Sequence, residues 1–375
     1  MRRIGIAVIG ALVLGPRIAR ADEPVEPPPA PAAPAGATPA PRPALVLAAE
    51  VFGAYRWARA GGASASAFDL DRAELGANAA LAHGVIGELR LESFRAADDQ
   101  SLLALSGDPL VVGIKRAWVG IERDVGEVRL GGRLGLIADP WIAAIEPAYG
   151  LRAIAPTALE DAGLLESSDL GAEVTATWRD RVTAAIAITN GEGRRQIEQN
   201  DGKDTTAVVS GRIATFALGA SDEIVRVHVG GRDGSTGAAE VRSHRLAGAL
   251  TLDGERLAAG LELGRGWGIG DRGELVATTV AGWARAQLAP RWLGAVARVA
   301  HLDPDGARAD DARTSYSGGL VAALPGGPHL PRARVYALGW AVAYGAAAPP
   351  LPGATAAANE HGVSLLVELA AESSP

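Results

Sequence analysis

What most constrains this chain is a period-two alternation of apolar and polar residues that returns along nearly its whole length. In "SSDLGAEVTATWRDRVTAAIAITNGEG", which starts at Ser167, every second place is taken by Leu170, Ala172, Val174, Ala176 and Trp178. After Arg179-Asp180-Arg181 the pattern resumes with Val182, Ala184, Ile186 and Ile188. Between them stand Glu173, Thr175, Thr177, Thr183 and Thr189, so two strands joined by a charged turn put all apolar side chains on one face. From Ala44 onward the same reading gives about sixteen strands. They lie near 45–59, 67–82, 85–96, 111–123, 126–137, 169–179, 182–191, 205–218, 223–232, 240–253, 256–266, 273–289, 292–302, 313–324, 331–345 and 361–371. The expected fold class is all-β.

The connections narrow the architecture. Tight links such as His83-Gly84, Asp124-Val125, Arg179-Asp180-Arg181, Asp253-Gly254-Glu255 and Pro290-Arg291 largely alternate with longer stretches at 97–110, 138–168, 191–205, 233–239, 302–314 and 346–360. A transmembrane antiparallel β-barrel has this rhythm of short turns at one rim and long loops at the other. The start of the chain agrees. Arg2-Arg3, the apolar run Ile4–Gly15 and Ala19-Arg20-Ala21 form an export signal over 1–21, with cleavage expected near Ala21. The Pro/Ala-rich stretch 22–43 reads as a disordered linker. No later segment offers about twenty consecutive apolar residues, so no transmembrane helix is expected. The barrel is therefore expected over 44–371, with 372–375 as a tail and 138–168 as a long loop. That loop, with three prolines and many apolar residues, is too apolar for solvent and is expected to pack on the barrel wall.

An apolar-out, polar-in barrel faces lipid with Leu170, Val174, Ile186 and Ile188, and lines water with Glu173, Thr175 and Thr183. Trp57, Trp178 and Trp292 fall at strand ends, where a membrane-interface belt would place them. Alternation then assigns to the lumen Arg72, Arg90, Arg116, Arg129, Arg133, Arg212, Arg226, Arg245, Arg285 and Arg298, against the acids Glu74, Glu88, Glu92, Glu122, Glu173 and Glu262. An excess of guanidinium in a low-dielectric tube attracts anions, and its planar fork suits phosphate and carboxylate. The other reading of the same pattern is an exported soluble or surface β protein that binds a ligand or partner without forming a channel.

Other function classes have little support. With no cysteine, disulfides and thiolate metal sites are absent. A net charge of −7 argues against a nucleic-acid partner. The histidines at 83, 228, 244, 301, 329 and 361 have no metal-ligand spacing. "GRGWGIGDRG" at 264–273 lacks the Lys-Ser/Thr of a phosphate loop and reads as a connection between strands, while "DPDGARADD" at 303–311 fails the EF-hand pattern. No enzyme activity, cofactor or metal is expected.

Several stretches resemble the outer-membrane phosphate-selective porins. "DLGAEVTATWRDRVTAAIAITNGEG", from Asp169, is similar to the family's paired strands, with Asp169 and Gly171 opening one and Asn190-Gly191 closing the next. Asp204 and Gly211-Arg212 match an Asp and a Gly-Arg that come soon after these strands in the family. "FDLDRAELGANAAL" at 68–81 resembles its Arg-rich early strand, and "VRLGGRLGLIADP" at 128–140 resembles the strand leading into a long inserted loop. The likeness covers most of 44–371. It implies a sixteen-stranded barrel, usually a homotrimer, in the outer membrane of a Gram-negative cell. It also implies passive passage of small anions or solutes, contact with outer-membrane lipid and insertion by the outer-membrane assembly machinery. By family position, 138–168 is the loop that folds inward to narrow the channel. One departure is the close of the chain, "VSLLVELAAESSP", which lacks the family's terminal aromatic residue.

Overall fold

A computed structural model describes residues 44–95, 110–194, 200–218, 221–236, 240–269, 272–288, 292–324, 332–346 and 359–373. The expected export signal and the Pro/Ala linker lie outside these residues.

Alternating sequence becomes extended strand throughout. The strands are β1 Ala44–Ala60, β2 Ala63–Ala80, β3 Val85–Arg95, β4 Leu110–Val125, β5 Val128–Ala138, β6 Ser168–Trp178, β7 Val182–Thr189 and β8 Asp204–Leu218. They continue with β9 Ser221–Thr236, β10 Val241–Asp253, β11 Leu257–Ile269, β12 Arg272–Gln287, β13 Leu293–Asp303, β14 Arg313–Leu324, β15 Arg332–Tyr344 and β16 Glu360–Glu372. Each pairs antiparallel with its neighbours in sequence, and β1 pairs with β16 from Ala48↔Glu372 to Ala60↔Glu360, so the sheet closes on itself. Closure leaves no sheet edge to satisfy, the arrangement that a hydrocarbon environment requires of β structure.

The two faces differ as the alternation requires. Leu170, Val174, Ile186, Ile188, Leu134, Val229 and Leu246 are exposed on the outside, whereas Glu173 and His228 are buried on the inside. Trp57, Trp178 and Trp292 are exposed near strand ends. Two regions depart from the sequence expectation. β9 continues to Thr236 and β11 to Ile269, so much of 233–239 and of 264–273 is strand, not loop. The β1–β2 link is likewise tight, because β2 begins at Ala63.

The segment between β5 and β6 is not a plain loop. It carries α1 Pro140–Tyr149 and α2 Ala158–Asp161. Asp139 caps α1 by accepting from the backbone amides of Trp141 (2.8 Å) and Ile142 (3.4 Å), and Pro140 takes the first turn, where its missing N–H costs nothing. Gly150 ends the helix in the left-handed region at φ 56°. Trp141, Ile142, Ile145, Tyr149, Leu151, Leu159 and Leu164 are almost wholly buried, and they form one cluster with Val208, Ala249, Ala277, Trp283, Val296, Leu338 and Leu366 of the barrel's inner face. The wall makes room through glycine: a Cβ on Gly264 would stand 2.8 Å from Leu159 Cδ1, and one on Gly266 2.9 Å from Leu164 Cδ2. These are glycines of the stretch that reads as a loop from sequence. They serve the close packing of the inserted segment instead.

Candidate pore constriction

Strand register places all ten sequence-assigned arginines on the inner face. Arg72, Arg90 and Arg116 of β2, β3 and β4 line one cavity, with Arg90 directly opposite Arg116 in register. Arg72 Nε is 3.2 Å from Glu74 Oε1, and its guanidinium lies 4.3 Å from the centre of the Phe52 ring. Arg90 bridges Glu88 at 3.0 Å and Glu74 at 3.2 Å, and Arg116 reaches Glu146 at 3.4 Å and Glu88 at 3.7 Å.

The other seven are dispersed. Arg133 sits between Glu173 (3.6 Å) and Glu122 (3.7 Å), over the Trp118 ring. Arg129 is exposed at the tight-turn rim beside Asp124 and Asp180. Arg226 pairs with Asp253 at 3.4 Å, and Arg212 faces it across the β8–β9 register. Arg245 is buried, donating to Leu164 O at 2.9 Å and to Ser243 Oγ. Arg285 lies against Gly150, and Arg298 binds Asp161 at 2.7 Å. Arg245 and Arg298 thus bind the inserted segment, and Arg285 packs against it.

The strongest convergence of charge is where that segment faces β1–β4, β15 and β16. A cavity of about 220 Å³ is bounded there by Glu146, Gly150, Arg152 and Ala153 of the segment, and by Phe52 and a charged wall. Its charged lining is Arg72, Arg90, Lys115, Arg116, Arg152 and Arg334 against Glu50, Glu74, Glu146 and Glu368. Burial alone would raise the pKa of Glu146, but Arg152 and then Arg116 outweigh it and hold the carboxylate below its ordinary range. Glu146 and Glu160 push the Arg152 guanidinium up despite its burial.

Half of this cationic lining was not assigned from sequence. Lys115 binds Glu74 at 2.6 Å and Glu92 at 3.3 Å from a β-bulge, where the register shifts between Arg90 and Leu91 of the partner strand. The bulge turns Lys115 and Arg116 inward together, which period two forbids. Arg152 belongs to the inserted segment, where no strand period applies. Arg334 binds Glu368 at 2.9 Å, and both, like Glu50, stand on inward places that alternation could have supplied. Counting these acids, the lumen is a mixed ionic network and not an uncompensated arginine lining. The wall also holds the segment through a polar peg: Glu262 of β11 accepts from Trp141 Nε1 (2.7 Å) and from the Ala158 amide (2.8 Å). Among the described residues no group of histidine and acid side chains could hold a metal ion.

No family model matches the chain, and no curated protein does. Solved structures do. The chain is similar to an anion-selective porin from Comamonas acidovorans, with a TM-score of 0.57 and 14% identity over 88% of this chain and 100% of that one. It is also similar to Salmonella typhi OmpF, at 0.55 and 10% over 86% and 97%, and to OmpT of Vibrio cholerae, at 0.53 and 10% over 89% and 99%. At these identities the likeness speaks of fold, and the fold is the closed sixteen-strand antiparallel barrel of Gram-negative outer-membrane porins.

Proposed function

We propose that the protein is a non-enzymatic channel of the outer membrane through which small hydrophilic solutes diffuse passively, with a bias toward anions of phosphate size and charge. The observation that carries this reading is the cavity between the inserted segment and the wall, where six cationic side chains meet four acidic ones. In a narrow, low-dielectric passage such a surplus raises the local concentration of anions. The Comamonas protein is described as anion-selective, but the bias proposed here rests on the lining charges and not on a 14% likeness. The segment 139–167 narrows the passage; of the ten arginines, Arg72, Arg90 and Arg116 line the cavity beside it, Arg245, Arg285 and Arg298 lie against the segment, and the other four stand apart on the inner face. Export behind 1–21, insertion by the assembly machinery and a homotrimeric state belong to the same reading. A soluble binding protein accounts less well for exposed Leu and Val around a closed barrel.

Conductance in a planar bilayer with a potassium chloride gradient tests the proposal. The expected result is stepwise current with a reversal potential of the anion-selective sign, and partial block of chloride current by added inorganic phosphate. A silent protein would sink the channel, a cation-selective one the bias, and indifference to phosphate the finer solute class.

A further inference from the structure

Three of the four acids lining the cavity are engaged by cations. Glu74 is held by Lys115 at 2.6 Å and by Arg72 and Arg90 at 3.2 Å each. Glu146 is held by Arg152 and by Arg116. Glu368 accepts from Arg334 at 2.9 Å and from the Tyr336 hydroxyl at 2.6 Å. Glu50 differs. It lines the same cavity, half-buried on the inner face of β1, yet among the described residues no cation comes within ion-pair distance and no side-chain hydrogen bond reaches it. Its surroundings increase the local negative charge: Glu74 is its direct register partner on β2, and Glu368 stands one step away, opposite Phe52 on β16. The nearest candidate counter-charge is drawn aside, because Arg72 is committed to Glu74 and to the Phe52 ring.

We propose that Glu50 is a specificity-determining residue of the constriction: its unpaired carboxylate draws cations into the passage and holds the anion bias down. The inference rests on the channel reading above. Every cation of the lining is paired with a neighbouring acid, whereas Glu50 has no such partner and meets Arg72 and Arg90 only at longer range, so more of its charge reaches a passing ion. One elementary charge at about 6 Å across water changes the local population of a monovalent ion about threefold. A single carboxylate can therefore offset much of the surplus of the other groups.

The test is the reversal potential of Glu50→Gln beside the unmodified protein, both checked for compact migration on an unboiled gel. The anion-to-cation permeability ratio is expected to rise about two- to threefold. Because the chain has no cysteine, Glu50→Cys gives a unique thiol for labelling the folded channel. A sulfonate-bearing reagent should return the ratio toward that of the unmodified protein, and a trimethylammonium reagent should carry it beyond Glu50→Gln. A merely structural role would not track the sign of the added charge. If the unmodified protein conducts and neither the Gln variant nor the labels move the ratio, the role of Glu50 is refuted while the channel stands. If the unmodified protein does not conduct, the channel reading itself falls and the inference falls with it.

Discussion

Glu262 shows how much one side chain can decide in this lumen. It is fully buried, and its two oxygens take the Trp141 indole N–H and the Ala158 amide, one from each half of the inserted segment. Glu262→Leu would leave both donors unpaired beyond the reach of water, at about 1–3 kcal/mol each. Glu262→Gln keeps one acceptor oxygen but sets an NH₂ against the second donor, so its effect should be intermediate. The expected outcome is a larger, more fluctuating single-channel conductance in Glu262→Leu, with faster protease cleavage within 139–167 in the folded barrel. A Leu variant with the conductance and cleavage pattern of the unmodified protein would show that the peg is dispensable. Alternation places Glu262 inward from sequence, as it does Arg298, but what each would touch was hidden. Their partners Trp141 and Asp161 lie more than a hundred residues earlier, in a stretch without strand period. Lys115 was hidden for another reason: a single extra residue at the bulge reverses the facing of everything before it.

At the scale of the element, α1 is the least legible part of the chain and the part on which the proposed constriction rests. Its sequence "PWIAAIEPAY" has buried residues on most sides and a proline, Pro147, inside it, so no amphipathic stripe reveals a helix. Its one local mark, Asp139-Pro140 before an apolar run, has the form of a helix start, but the loop reading above passes over it. The helix is clamped to the segment and the wall through Glu146, which Arg152 and Arg116 hold below its ordinary pKa near 4.5 against the effect of burial. A carboxylate depressed in this way contributes stability above that ordinary value and loses it as the pH falls through the depressed one. Asp139 has the opposite sign. Burial raises its pKa despite Arg232 and two backbone amides, so its contribution is full below its ordinary 3.8 and is lost as the pH rises through the raised value. The Glu146 clamp should therefore weaken on acidification below about pH 4.5 while the cap does not. Current noise is expected to rise over that window in the unmodified channel. Glu146→Gln should be noisy already at neutral pH and flat below it. The same acid response in both proteins would remove Glu146 from the clamp.

At the scale of the whole molecule, the barrel was readable because one local rule is repeated sixteen times and each repetition is weak but independent. The β6–β7 hairpin illustrates this. Register pairs Val174 with Ile186 and with Gly132 on its two sides, and all three lie on the outer face; Thr175, paired with Ala185 and Gly131, lies on the inner one. Boundaries such as the ends of β9 and β11 were less legible, because glycine-rich strand and glycine-rich loop look alike until a neighbour packs against them. The hairpin also supplies the sharpest test of what surrounds the barrel. Val174 is 65% exposed, near the middle of β6. If that surface meets hydrocarbon, Val174→Arg places a guanidinium near the midplane at about 2–4 kcal/mol. Insertion into lipid vesicles should then fall sharply and the compact unboiled band should be lost, whereas Val174→Leu inserts normally. Thr175→Arg, one residue along the same strand, points to water and should insert as the parent does. The contrast between adjacent positions separates a lipid-facing wall from a general intolerance of the strand, since a soluble barrel would accept arginine at Val174 more readily than at Thr175.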